Sequence, residues 1–139
     1  MPVTKNANRQ RAQVAFCDFT YADVTSGTYA ACVDLPLGAV VVRGDLFITT
    51  LFNSATTDVF SIGDQIGAAA ATATRYSATS ADITAVGRAV VLVPTGIATT
   101  AATTVGVVWT GTGAAPSAGV GKLVVEYISN DKSEATFST

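Results

Sequence analysis

Val120-Gly121-Lys122-Leu123-Val124-Val125-Glu126-Tyr127-Ile128-Ser129 is the stretch that decides the fold class. Leu123, Val125 and Tyr127 fall on one side of an extended chain, and Lys122, Val124 and Glu126 on the other. Successive side chains of a strand point to opposite faces, so this alternation predicts a strand with one buried face. Working back along the chain, Ala39–Phe52 is the strongest β-prone block. Val40–Val42 and Leu46–Leu51 flank Gly44 there, and their β-branched and aromatic side chains favour strand over helix. Gly44 within such a block predicts a bulge or a bend.

The same rhythm recurs along the rest of the chain. Gln13–Thr20 carries Val14, Phe16 and Cys17, and Tyr29–Leu35 stops at Pro36 and Gly38. Asp58–Ile62 is closed by Gly63-Asp64, and Ile83–Val93 ends at Pro94-Thr95-Gly96. Val105–Thr110 places Val107 and Trp109 on one face. Asp23–Gly27, Asn53–Thr57 and Gly111–Gly119 are rich in turn-forming residues. In Gly67–Thr84 the interleaved Thr and Ser lower the helix propensity of the alanines, so a long, partly ordered loop with at most one helical turn is expected. About eight short strands, no amphipathic helix of useful length and no internal repeat predict an all-β chain. The expected architecture is a single antiparallel β-sandwich, of the jelly-roll or immunoglobulin-like kind, between which the periodicity does not choose.

The 139 residues fit one domain, whose core needs neither metal nor disulfide to hold it. The expected organisation is a flexible basic N-terminal arm over 1–11, the sandwich over 12–129 and a polar tail over 130–139. The arm carries Lys5, Arg9 and Arg11 and no acid. Only 13% of the residues are charged, against about 25% in an ordinary soluble domain, while 49% are apolar. A surface so poor in charge tends to associate, which points to a subunit of an assembly. The net charge of −2 gives no global attraction to nucleic acid. No apolar segment reads as a signal peptide or a membrane span, so synthesis in a cytoplasm is expected.

Histidine is absent, which removes the commonest general base and the commonest metal ligand together. No Ser-x-x-Lys or Gly-x-Ser-x-Gly pattern is present, and Gly111-Thr112-Gly113 lacks the third glycine of a dinucleotide loop. The acids stand singly beside turns. Hydrolysis or a calcium site would need the fold to bring together a pair such as Asp58 and Asp64. Arg43-Gly44-Asp45 spells an integrin-type tripeptide, but between two hydrophobic half-strands it reads as a charged edge position beside a bulge glycine. Cys17 and Cys32 sit in apolar strand-like stretches, either as buried free thiols or as a disulfide between adjacent strands. Tyr21, Tyr29 and Tyr76 lie near loops, where an exposed ring stacks on sugars or on another protein. No catalytic residue, cofactor or metal site is expected.

Several phrases taken together carry a resemblance. They are Leu35-Pro36-Leu37-Gly38-Ala39-Val40-Val41, Gly44-Asp45-Leu46-Phe47-Ile48, Phe52-Asn53-Ser54-Ala55-Thr56-Thr57-Asp58, Ile62-Gly63-Asp64, Arg75-Tyr76, Val107-Val108-Trp109-Thr110-Gly111 and Gly119–Tyr127. The run resembles the small head-decoration, or cement, proteins of tailed bacteriophages. That resemblance implies a jelly-roll-like sandwich that binds the outer surface of an assembled capsid as a homo-dimer or homo-trimer. Its partner would be the major capsid protein, with no direct contact to nucleic acid or membrane. Lys5, Arg9, Arg11 and Tyr76 are the candidate capsid contacts. The second reading is a carbohydrate- or receptor-binding module of a phage tail or fibre.

Overall fold

Seven strands form in the computed structural model, which describes residues 11–129. They are β1 (Gln13–Thr20), β2 (Thr28–Leu35), β3 (Ala39–Thr50), β4 (Thr57–Ile66), β5 (Gly87–Leu92), β6 (Thr103–Thr112) and β7 (Val120–Ser129). One sheet has the order β1-β7-β3-β5 and the other β2-β6-β4, and every neighbouring pair is antiparallel. No described residue is helical. Residues 1–10 of the arm, with Lys5 and Arg9, and the tail over 130–139 lie outside the described residues; Arg11 is exposed just before β1.

β7 shows why the alternation was decisive. It is a central strand, so its inward Leu123 and Val125 are wholly buried while Lys122, Val124 and Glu126 face outward. Leu46 and Ile48 of β3 meet Phe60 and Ile62 of β4 and Val105 and Val107 of β6 in the same core. Phe19, Phe52, Phe60 and Trp109 close one end of it, with ring centroids 5.2 Å apart for Phe52 and Phe60 and 5.5 Å for Phe52 and Trp109. Burying such side chains contributes about 1.5–3 kcal/mol each, which makes the core the main source of stability.

Seven strands form among the described residues where the rhythm predicts about eight, and the Ala39 block is the single strand β3. The register shifts of β3 fall between Val41 and Arg43 and between Ile48 and Thr50 against β7, and between Leu46 and Phe47 against β5. Gly44 has a different role. A Cβ there would stand 2.5 Å from the Val124 carbonyl oxygen and 3.0 Å from Leu92, so it permits close approach between strands. Nor is Arg43-Gly44-Asp45 at an edge, because β3 lies between β7 and β5.

Gly63-Asp64 does not end β4, whose ladder with β6 continues to Ile66. Beyond it, residues 72–83 contain no helical turn and run antiparallel beside the outer edge of β4. Asp64 and Thr72 exchange backbone hydrogen bonds of 3.1 and 2.8 Å. The N–H groups of Tyr76, Ser80 and Ile83 donate to the carbonyls of Ile62, Phe60 and Asp58 at 3.0, 2.8 and 2.9 Å. In return, the N–H groups of Ile62, Phe60 and Asp58 donate to Ser77 Oγ, Ser80 Oγ and Asp82 Oδ1 at 2.7, 3.0 and 2.8 Å. The segment spends too many residues on this span to be a strand. It nevertheless satisfies the edge that a sheet must protect, and the Ser and Asp that argue against helix are what allow it.

Candidate docking surfaces and buried carboxylates

Asp58 and Asp64, the acid pair named above as an example, are kept apart by β4. Both point inward, but six residues of extended chain separate them by roughly 20 Å. Asp58, 4% exposed, accepts hydrogen bonds from Trp109 Nε1 at 2.9 Å, Ser54 Oγ at 2.7 Å and the Ser54 N–H at 3.2 Å. Asp64 is ion-paired with Arg75 at 3.2 Å beside a cavity of about 100 Å³ that Tyr76, Thr99 and Thr103 also line. Each carboxylate thus has local structural partners. Among the described residues no group of three or more Asp, Glu, Cys or His is placed to hold a metal ion.

The outer face of the β1-β7-β3-β5 sheet offers several apolar side chains to solvent. Across the strands Phe16, Val124, Asp45 and Val91 form one row, with Phe16 61% and Val91 52% exposed. Val14, Val42 and Ile128 add exposed apolar groups to this sheet. Its charges neutralise one another: Arg43 meets Glu126 at 2.6 Å, Arg88 meets Asp45 at 3.2 Å and Lys122 meets Asp18 at 3.5 Å. Lys122 Nζ also stands 4.8 Å from the centre of the Phe16 ring. Exposed pairs of this kind add about 0–1 kcal/mol each to stability. Their main effect is to leave a neutral, half-apolar sheet face.

The opposite face differs in kind. Gly106 of β6 lies beneath Tyr29, whose hydroxyl is hydrogen-bonded to the Thr104 carbonyl at 3.0 Å. Burial pushes the Tyr29 hydroxyl up to about 12. Ser61 of β4 donates to the Ala73 carbonyl at 2.7 Å, so the chain itself covers that part of the sheet. A shallow groove of about 500 Å³ lies between Tyr21, Val24, Trp109 and Pro116.

Of the four candidate contacts, Lys5 and Arg9 fall outside the described residues and Arg11 is exposed at the base of the arm. Tyr76 is no surface ring. It is 5% exposed, packed in the core, and its hydroxyl is raised above the ordinary tyrosine range by burial and then by Asp64. Its chain neighbours read as loop, but the hydrogen bonds of 72–83 to β4 pull it inward. Tyr29 is likewise engaged, which leaves Tyr21 as the exposed tyrosine of the three. In the sequence the outer sheet face was visible only as one side of β7, that of Lys122, Val124 and Glu126. Phe16 and Val91 on neighbouring strands make it a surface.

The described fold defines an all-β, two-sheet antiparallel protein. No protein-family model matches the chain, and no curated protein sequence matches it. Solved structures do. A chain of the cyanophage Pam1 capsid asymmetric unit aligns over 91% of this chain and 98% of its own, at 19% identity and a TM-score of 0.57. A chain of the acid-stable capsid of Helicobacter pylori bacteriophage KHP30 aligns over 88% and 94%, at 17% identity and a TM-score of 0.53. At such identities the likeness is one of fold.

Proposed function

We propose that this chain is a virion structural protein that binds the outer surface of a phage capsid and stabilises contacts between capsomers. The observation that carries the reading is the near full-length match to chains in two phage capsid structures. The chemistry of the chain is compatible with it, since Asp58 and Asp64 serve as structural anchors and one sheet carries a neutral, half-apolar outer face. The partner is the major capsid protein, and the face of β1-β7-β3-β5 docks on it. Self-paired charges let that face be covered without stranding an ion, which would be costly. The chain acts as a homo-dimer or homo-trimer, is made in the host cytoplasm and carries out no catalysis.

The sandwich is read as a jelly roll. Its support is the nesting of pairs β1 with β7, β2 with β6 and β3 with β5, with residues 72–83 beside β4 in the place of the missing fourth pair. On that reading an eighth strand has been replaced by a side-chain-capped segment, and the two sheets follow the order of a double Greek key.

Co-sedimentation of the purified chain with undecorated, expanded capsids of its phage tests the role. Saturable binding and a raised temperature of capsid disruption are expected. No binding, with affinity for a glycan in the Tyr21 groove instead, would move the assignment to the carbohydrate-binding reading.

A further inference from the structure

Cys17 and Cys32 are the two cysteines of the chain, and both are free thiols. Cys17 lies on the inward side of β1, in line with Ala15 and Phe19. Cys32 lies on β2 at a break in register: Ala31 pairs with Gly106 and Val33 with Val105, so Cys32 is an extra residue of a β-bulge. A bulge re-aims the side chain it carries. Here it turns Cys32 into the space between the sheets, where it packs against the core together with Cys17. β1 and β2 are the end strands of their respective sheets and touch each other along this edge.

The two edges of the sandwich are secured differently. At the β4 side, residues 72–83 seal the strand and the Tyr76 carbonyl accepts the Val93 N–H at 2.7 Å, tying the segment to the chain just past β5. At the β1/β2 side no backbone hydrogen bond joins the two strands among the described residues. The thiols themselves are held weakly, Cys17 donating to the Asp18 carbonyl at 3.6 Å and Cys32 to the Ala30 carbonyl at 3.5 Å. Burial, and then the neighbouring Cys17 thiol, pushes the Cys32 thiol up to about 12. A thiol so rarely ionised at neutral pH exchanges slowly.

We propose that Cys17 and Cys32 are an oxidisable pair whose intramolecular disulfide clips the two sheets together at the open β1/β2 edge. The co-reactant is a small disulfide such as oxidised glutathione. One cysteine thiolate attacks it, breaking its S–S bond and releasing one glutathione thiolate. The second cysteine then attacks the mixed disulfide, forming the Sγ–Sγ bond and releasing the other glutathione thiolate. The protein loses two protons and two electrons; the glutathione sulfurs take up both as two thiols. The clip closes a loop of about 15 residues around the β1–β2 connection, a length at which a disulfide restricts the unfolded chain appreciably. The pairing does not depend on the capsid reading, and failure of either leaves the other standing.

The test is to incubate the folded full-length chain with oxidised glutathione and follow thiol titration, intact mass and thermal unfolding. The expected product is a monomer lighter by two hydrogens, with both thiols lost. Cleavage at Asp23 should leave its two fragments joined until reduction, and the melting temperature should rise by on the order of 10 °C and fall back with dithiothreitol. In Cys17→Ser, oxidation should leave the melting temperature unchanged. Stable glutathione adducts, disulfide-linked dimers, unreacted thiols, or a disulfide that gives no rise in melting temperature would each overturn the proposal.

Discussion

Asp58 shows how one residue is committed by its surroundings. Its carboxylate takes the indole N–H of Trp109 and both Ser54 donors; on its removal Ser54 Oγ keeps the Thr57 carbonyl, but the indole and Ser54 N–H groups lose their acceptor. A buried donor left unsatisfied costs about 1–3 kcal/mol. Asp58→Ala should therefore destabilise the chain by about 3 kcal/mol and lower its melting temperature by roughly 10 °C in a thermal melt, with Asp58→Asn recovering part of the loss. Tyr29 gives a pH signature. Its pKa rises from 10.0 to about 12 on folding because burial disfavours the phenolate. A group with a raised folded pKa keeps its proton longer in the native state, so stability is intact below about pH 10 and drains away as pH climbs toward 12. Urea denaturation across that window should show this fall, and Tyr29→Phe should make it shallower.

Among the elements, the sealing of β4 is the feature that most separates expectation from structure. The Ala/Thr/Ser composition of 67–84 argued correctly against a helix, yet nothing in its periodicity could disclose pairing made by side chains. Ser77, Ser80 and Asp82 replace main-chain acceptors, so the spacing follows neither a strand nor a helix. The triple variant Ser77→Ala, Ser80→Ala, Asp82→Ala should cost about 3 kcal/mol, speed hydrogen exchange at Phe60 and Ile62, and promote aggregation through the bared edge. Unchanged exchange at those amides would show that water replaces the hydroxyls without loss. β7, by contrast, was legible residue by residue, because a strand buried on one face must alternate. Gly44 pointed to an irregularity in β3 but not to its place between Val41 and Arg43, and the bulge at Cys32 was not legible, since a one-residue slip leaves local composition unchanged.

At the scale of the whole molecule, an all-β antiparallel fold could be read from strand rhythm, whereas the proposed docking face needed strand order. Phe16, Val124, Asp45 and Val91 are far apart in sequence and become one row only once β7 lies between β1 and β3. Phe16→Asp with Val91→Asp should leave the melting temperature within a few degrees, because both side chains are exposed, and weaken capsid binding tenfold or more. Mutating the groove residue Tyr21 should leave that binding unchanged. The most direct measurement is cryo-electron microscopy of expanded capsids with and without the added chain. The capsid reading predicts difference density of sandwich size at fixed sites on the outer shell, with the β1-β7-β3-β5 face turned to the capsid protein. Shells that remain bare at saturating concentration, or density confined to the tail, would contradict it.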